Sequence, residues 1–468
     1  MGYVLDAETL SQRLAEFVEE IKLNSLPTEV ISKIKLHLLD TLGIMIAMYS
    51  NELAAKAVEV AKRLGGRPES TIVGYGIRTG AASAALANAV MAHAADYDDT
   101  HLGSLAHLGC VSVPAALAVG ESVGAYGDTV IEALVAHYEI TSRIGLASPG
   151  ILHLRGFHPT SVIGVFGAAA ASGKLLGLSK EKIRDALGIA GSMASGILQG
   201  LKEGREVKPL HPAIAAHNGV LAAYMAYAGL EGPSEVFEGE WGFFRAYMGW
   251  DKRGEDVNLD MIVKDLGRRW ELMNTSTKPY PSCHASHSSI DLAISMRNKY
   301  SIEVNEVEEI LIHVPRVAIE LICEPWEHKI TPRTPYEAKF SAPYLVVVAL
   351  RRGWVGLRDF TKESIEDPEV LKHTKKIRCV VDQSLWLSRN PYVIPARMII
   401  KTKDGKTYEE EIVEHKGTPG NPMTIEDVIK KFVNNITATK YERSSEDLVK
   451  AIMTIEKQEV AEIMRMLA

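Results

Sequence analysis

Ala81-Ala-Ser-Ala-Ala-Leu-Ala-Asn-Ala-Val-Met-Ala-His93-Ala-Ala-Asp96-Tyr97-Asp98-Asp99-Thr100-His101 joins an alanine-rich apolar run to a burst of charge. The run predicts a helix over 81–95 lying in a core rather than on a surface. Three carboxylates (Asp96, Asp98, Asp99) and two imidazoles (His93, His101) follow at or near its C-terminal end. Such groups are costly in a core unless they are paired or used in chemistry. If the helix persists, His93 and Tyr97 share a face, as do Asp96 and Thr100.

Outward from this segment the first half of the chain reads as helix after helix. Amphipathic spacing runs through Leu10, Leu14, Phe17, Val18 and Ile21, and again through Val30, Ile31, Ile34, Leu38, Leu39 and Leu42 with Thr28 as the N-cap. Further helices are expected over 111–126, 130–147, 162–176, 179–200 and 213–230. The texture changes near residue 272: 307–315 and 377–381 alternate as strands, and 396–403 and 407–414 flank Asp404-Gly405, a favoured hairpin turn. Two helices, 424–433 and 445–466, close the chain. The pattern predicts a mainly α protein, a large all-helical domain built from both chain ends (1–272 plus 420–468) with an inserted smaller α+β lid domain (273–419).

Composition excludes several classes. The chain has 468 residues, is 46% hydrophobic and 24% charged, and carries a net charge of −7, as expected of a globular protein with a large core. No Lys/Arg cluster suggests nucleic acid as a partner. The most apolar stretches, 43–48 and 344–350, are too short to span a bilayer. The opening residues 1–6 lack the basic and apolar regions of a signal peptide. Cys110, Cys283, Cys323 and Cys379 are far apart with no CxxC pair, so neither a disulfide framework nor a zinc or iron–sulfur ligand set is expected. A reducing cytoplasm is the expected location.

Four other segments set polar groups beside Gly or Pro: His107-Leu-Gly, Arg155-Gly-Phe-His158-Pro-Thr160-Ser161, Lys208-Pro-Leu-His211 and Lys278-Pro-Tyr-Pro-Ser-Cys-His284-Ala-Ser-His287. Lys208 and Lys278 suit a carboxylate, and Thr160, Ser161 and the amides after Pro159 form a helix N-terminus suited to the same ligand. Asp96 or a histidine can move a proton near neutral pH. Taken one at a time, His93, His137, His217 and histidines 37, 313, 328, 373 and 415 read as satisfied core or surface residues. Asp98 and Asp99 read as ending the helix and capping the next turn. A divalent metal held by His93, Asp96, Asp99 and His101 is a competing reading, without HExxH or EF-hand spacing behind it. The run 167–175 misses the P-loop spacing and is rejected as a phosphate cradle.

Together, Ala85-Leu-Ala-Asn88, the 93–101 segment, Gly156-Phe-His-Pro-Thr-Ser161, Lys208-Pro-Leu-His211 and Lys278-Pro-Tyr-Pro, in this order, resemble the MmgE/PrpD family. That family includes 2-methylcitrate dehydratases, cis-aconitate decarboxylases and iminodisuccinate epimerases. The resemblance implies a helical domain with a smaller α+β lid, an active site in the cleft between them, a homodimer, and no metal or cofactor. Carried over motif by motif, it implies Asp96, Thr100, His107, His158, Lys208, Lys278 and His284 as active-site positions. Catalytic roles are expected for Asp96, His107, His158, Lys208, Lys278 and His284, and substrate binding for Thr100, Arg155, Thr160, Ser161, His211 and His287. Two departures from the decarboxylases stand out: His284 lies one residue further from Lys278, and their lid tyrosine has no clear counterpart between Trp326 and Tyr336. The expected activity is a cofactor-independent dehydratase on a 2-methylcitrate-like small anionic polycarboxylate, with an epimerase or a decarboxylase as alternatives and a metal-dependent hydrolase as a remote one. Lysines would neutralise the developing enediolate, Asp96 or His158 would take the carbon-bound proton, and His107 would protonate the leaving hydroxyl.

Overall fold

The computed structural model describes residues 8–250, 256–388 and 390–468, so the opening residues 1–6 lie outside it. The chain is mainly α-helical with two small sheets and divides into two compact units. The larger takes the chain up to Ala94, then Asp98–Thr275 and Thr424–Ala468. The smaller takes Ser276–Met423 together with the tripeptide Ala95–Tyr97.

In the larger unit the alanine-rich run forms the helix Ala81–His93, buried along nearly its whole length. It packs with Gly109–Ser122 and Leu210–Tyr227, and Pro159–Leu175 packs on Gly127–Leu146 and Leu210–Tyr227. Small residues make this close packing possible: a Cβ at Gly219 would lie 2.3 Å from the Cβ of Ala168, so the two helices touch backbone to backbone there. The chain's end returns to the same unit, where Ile425–Ile436 packs against Thr28–Met48 and Lys431 Nζ lies 2.6 Å from the Asp40 carboxylate. Among the described residues no helix is long and apolar enough to cross a membrane.

The larger unit departs from the expectation of an all-helical domain. A two-stranded antiparallel hairpin, β1 (Ser70–Ile72) with β2 (Ile77–Thr79), sits in it. Asn88 holds the hairpin by accepting from Val73 N and donating to Thr71 O, which fixes the strands to the Ala81–His93 helix. The helix expected over 179–200 is Lys180–Gly191 only. Beyond it Leu198 N donates to Gly156 O at 2.7 Å and Gly196 O accepts from His158 N at 3.0 Å, bonds that a continued helix could not make. The last expected helix breaks into Ser445–Met453 and Val460–Met466, and the N-cap of the second helix is Pro27, with Thr28 inside the first turn.

In the smaller unit a four-stranded sheet has the order β4-β3-β5-β6: β3 (Val307–Val314), β4 (Ile377–Val381), β5 (Ala396–Thr402) and β6 (Thr407–Ile412). β3 runs parallel to β4 and antiparallel to β5, and the Asp404-Gly405 turn joins β5 to β6. The helix His287–Tyr300 packs on β5 and β6, and Ala342–Arg352 packs on that helix. Cys323 and Cys379 are joined by a disulfide with a Cα–Cα distance of 6.3 Å, a pairing that the wide spacing of the cysteines did not suggest. The parallel pairing of β4 with β3 brings Cys379, on β4, to the turn after β3 that carries Cys323, across 56 residues of sequence.

Candidate functional site

The Ala81–His93 helix is capped by Ala94, and two residues further on Asp96 turns left-handed, at φ 51°, a conformation that a short polar side chain tolerates better than most. The turn aims consecutive side chains at different partners. Asp98 and Asp99 belong to the larger unit and Asp96 to the smaller.

Asp98 is fully buried, and both of its carboxylate oxygens lie 2.9 Å from Nδ1 of His93. Nε2 of His93 in turn lies 3.0 Å from Nζ of Lys208, which stands just before the helix Leu210–Tyr227. His107 lies beside them: its Nδ1 donates to the carbonyl of Asp99 at 3.0 Å, with Thr100 Oγ1 at 3.2 Å and Asp98 Oδ2 at 3.5 Å. The His93 and His107 rings are 4.7 Å apart, and His158 is 5.8 Å from His93. His158, the N-cap of the helix Pro159–Leu175, shares a hydrogen bond with His211 through their Nδ1 atoms at 3.1 Å. Lys208, His93, His107, His158, His211 and Asp98 are therefore one buried cluster drawn from four segments of chain.

Two residues predicted to bind substrate support this cluster from behind. Thr160 Oγ1 accepts from His107 N at 3.0 Å, and Ser161 Oγ donates to His211 O at 2.9 Å. Arg155 is exposed at the C-cap of the short helix Ile151–Leu154, apart from the buried set. Asp99 is a structural hub. Its Oδ1 accepts from the N–H groups of Leu108 and Gly109, which start the next helix, and its Oδ2 accepts from Tyr138 at 2.5 Å and lies 2.9 Å from His37 Nδ1. Glycine at 109 permits the approach, because a Cβ there would lie 2.4 Å from Thr41 Oγ1 and 3.2 Å from Asp99 Oδ1. His101 accepts from Ser104 N on Nδ1 and faces Glu271 at 3.4 Å on Nε2, pinning the 102–106 turn.

The electrostatics follow from burial. Desolvation, reinforced by Lys208, holds His158 well below the ordinary imidazole range. Burial foremost, with the Lys208 ammonium beside it, brings His211 down to about 4. Burial alone would push the Asp99 carboxyl up, but His37, Tyr138 and the Gly109 amide outweigh it and hold the group below its usual range. At neutral pH the His158–His211 pair is uncharged beside an ammonium.

The smaller unit holds a second group of predicted residues. Lys278, with no exposed surface, donates to the backbone carbonyl of Asp96 at 2.9 Å and to its carboxylate at 2.5 Å, while Tyr97 donates to Pro279 O at 3.0 Å. These bonds place Ala95–Tyr97 in this unit. His284 and His415 meet Nε2 to Nε2 at 2.9 Å. His415 Nδ1 donates to Lys416 O, so its Nε2 accepts and His284 is the Nε2–H tautomer. His287 stacks on His284 at 4.9 Å and donates from Nε2 to Ser282 O. Burial and the charge environment, His415 and Lys278 foremost, keep His287 well below the ordinary imidazole range.

Sequence reading of single residues gave no site role to His93, Asp98 and His415, which the fold sets among the candidate site residues. Asp98 and His93 lie in the same motif and carried a signal, their density on one turn. His415 carried none. The metal set His93, Asp96, Asp99 and His101 is not assembled, since Asp99 and His101 turn to other partners. His93, His107 and His158 do bring ring nitrogens within 4.8 Å of one another, as do His93, Asp98 and Cys110 with their ligand atoms. A metal on the first set competes with Lys208 for His93, and burial pushes the Cys110 thiol well above the range in which it becomes a thiolate ligand.

The MmgE/PrpD N-terminal domain matches residues 12–255 and the MmgE/PrpD C-terminal domain matches residues 280–455. The chain belongs to the MmgE/PrpD family. Among its relatives, a cis-aconitate decarboxylase-like protein, oryM, of Aspergillus oryzae is 29% identical over 90% of this chain and 89% of that protein. The cis-aconitate decarboxylases of Aspergillus terreus and Homo sapiens are each 26% identical, over 94% and 97% of this chain and 92% and 93% of those proteins.

Proposed function

We propose that the protein is a cofactor-independent lyase that removes water from a small polycarboxylate of the 2-methylcitrate kind. One observation carries the reading: a buried ammonium, Lys208, set among the imidazoles of His93, His107, His158 and His211 with Asp98 as the balancing carboxylate. Such a cluster suits an anion whose carbon acidity depends on neutralising an enediolate. His158, held neutral, is suited to take the carbon-bound proton, with Asp96 as the other candidate base. His107, anchored through Nδ1, is suited to deliver a proton to the departing hydroxyl. Lys278 is proposed to hold a carboxylate, His284 to assist proton transfer, and Thr100, His211 and His287 to contact substrate. Thr160 and Ser161 are proposed to act through the histidines they hold, and Arg155, being exposed, is left out.

Decarboxylation of a cis-aconitate-like acid is the second reading, favoured by the printed activities of the relatives. The same positive field would stabilise the carbanion left by CO₂. Epimerisation of an iminodisuccinate-like acid is a third, needing two such groups on opposite faces of one carbon. A single experiment separates them: purified protein, with and without EDTA, is given 2-methylcitrate, cis-aconitate or iminodisuccinate, and water loss, CO₂ release and racemisation are followed. Dehydration of 2-methylcitrate is expected. Its absence, with CO₂ from cis-aconitate instead, moves the function to decarboxylation, and activity abolished by EDTA moves it to a metal enzyme. We further propose a homodimer, which light scattering checks. An entering carboxylate favours the imidazolium forms of His158 and His211, so citrate binding is expected to take up protons, measured by calorimetry in buffers of different ionisation enthalpy.

A further inference from the structure

In the larger unit Asp98, His93 and Lys208 form one line of hydrogen bonds, two of 2.9 Å from His93 Nδ1 to the carboxylate and one of 3.0 Å from His93 Nε2 to Lys208 Nζ. The donors and acceptors assign themselves. An ionised carboxylate only accepts, so Nδ1 of His93 carries a proton. An imidazolium would set Nε2–H against the ammonium, two donors 3.0 Å apart with no acceptor between them. Opposite an ammonium, His93 is then assigned as neutral, with its Nε2 lone pair accepting one N–H of Lys208. Fixing one of the ammonium's three N–H bonds, together with the stem, fixes the directions of the other two.

We propose that His93 and Asp98 are positioning residues for Lys208: Asp98 sets the His93 tautomer, and His93 aims the ammonium. Asp98 has a second client, since its Oδ2 lies 3.5 Å from Nδ1 of His107, a nitrogen already committed to the carbonyl of Asp99 at 3.0 Å. One carboxylate thus turns both imidazoles the same way, with Nδ1 toward the 98–99 turn and Nε2 away from it. Each of the three side chains is less than a tenth exposed, so water competes weakly for these bonds. The logic is that of a carboxylate–histidine pair orienting a reactive group, here a lysine. The inference rests on the functional reading above for what Lys208 does, and not for the tautomer or the bond.

The test uses the full chain. Two-bond ¹H–¹⁵N spectra of histidine-labelled protein are expected to show His93, assigned by its loss in His93→Gln, as a neutral Nδ1–H ring between pH 6 and 8. An Nε2–H ring or an imidazolium there overturns the proposal. Gln at 93 can accept from Lys208 through its carbonyl and donate to Asp98 through its amide, whereas Leu can do neither. Citrate affinity by calorimetry is therefore expected to stay within about threefold in His93→Gln and to fall about 10- to 100-fold in His93→Leu, the range seen when an orienting partner is lost. Equal losses in both variants, or no loss in Leu, overturn it. If His93→Leu does not fold, the wild-type tautomer and the His93→Gln affinity decide. If the wild type binds no citrate, the proposed function fails, and the tautomer together with a slowly exchanging Lys208 ammonium signal, present in wild type and His93→Gln, still decides the positioning.

Discussion

Asp99→Asn removes the acceptor at the centre of four buried contacts, and the structure says how much each should cost. Oδ1 serves the amides of Leu108 and Gly109 at 3.2 and 2.8 Å, and an asparagine carbonyl keeps both. Oδ2 serves the Tyr138 hydroxyl at 2.5 Å and faces His37 at 2.9 Å, and an amide NH₂ there can accept from neither. Tyr138 and His37 are both fully buried, so no water replaces the lost acceptor. Hydrogen bonds to a charged group are worth about 1.5–3 kcal/mol each, which puts the loss at roughly 3–5 kcal/mol. Tyr138→Phe in the wild-type background should cost about 2 kcal/mol by the same scale. In the Asn background the hydroxyl already lacks its acceptor, so removing it should cost nearly nothing, giving a coupling of about 2 kcal/mol. The four proteins are compared by urea titration, with hydrogen exchange of Gly127–Leu146 as the local probe. Additivity within about 0.5 kcal/mol would refute the reasoning. The sign with pH follows too: Asp99 titrates below its ordinary value in the fold, so its contribution is complete above about pH 4 and is lost as pH falls through the folded value.

Burial brings His137 down to about 3 from an ordinary imidazole value, so the stability linked to it is complete above about pH 6.5 and lost as pH falls. Relative to His137→Phe, the wild type should lose about 2 kcal/mol between pH 6.5 and 4.5, and parallel stability curves would count against this. Lys431→Met strands Asp40, whose carboxyl burial already raises to about 6, and should cost about 3–5 kcal/mol at pH 8. Because the stranded carboxyl can protonate, that deficit should shrink on acidification, and a pH-independent deficit would sink the argument. Alkylation of the denatured, unreduced protein should modify Cys110 and Cys283 while Cys323 and Cys379 react only after reduction; mass spectrometry that finds four labels would remove the disulfide.

Much of the fold was legible because it depends on neighbours in sequence. The Asp404-Gly405 turn between alternating strands gives the β5–β6 hairpin, and the alanine-rich run gives the buried Ala81–His93 helix. The β1–β2 hairpin was not legible: its strands are three residues each, too short for alternation to register, and Asn88 on the following helix holds them. The early stop at Gly191 was also hidden, since it depends on backbone bonds from 196–198 to 156–158.

The candidate site divides along the same line. From the residues alone came the motifs, their order, the two lysines and most of the imidazoles, because reactive residue types beside Gly and Pro are a local pattern. Only the tertiary structure decided who meets whom: His93 with Lys208 across 115 residues, Asp96 with Lys278 across 182, His284 with His415 across 131. It also separated neighbours, giving Asp98 to the imidazoles and Asp99 to the frame behind them. Propensity and periodicity are set by residues a turn or two away, whereas a buried donor's partner is set by whichever acceptor the packed chain brings within 3 Å. That is why Asp98 could be read in the sequence as the end of a helix and stands in the fold at the centre of a buried imidazole cluster.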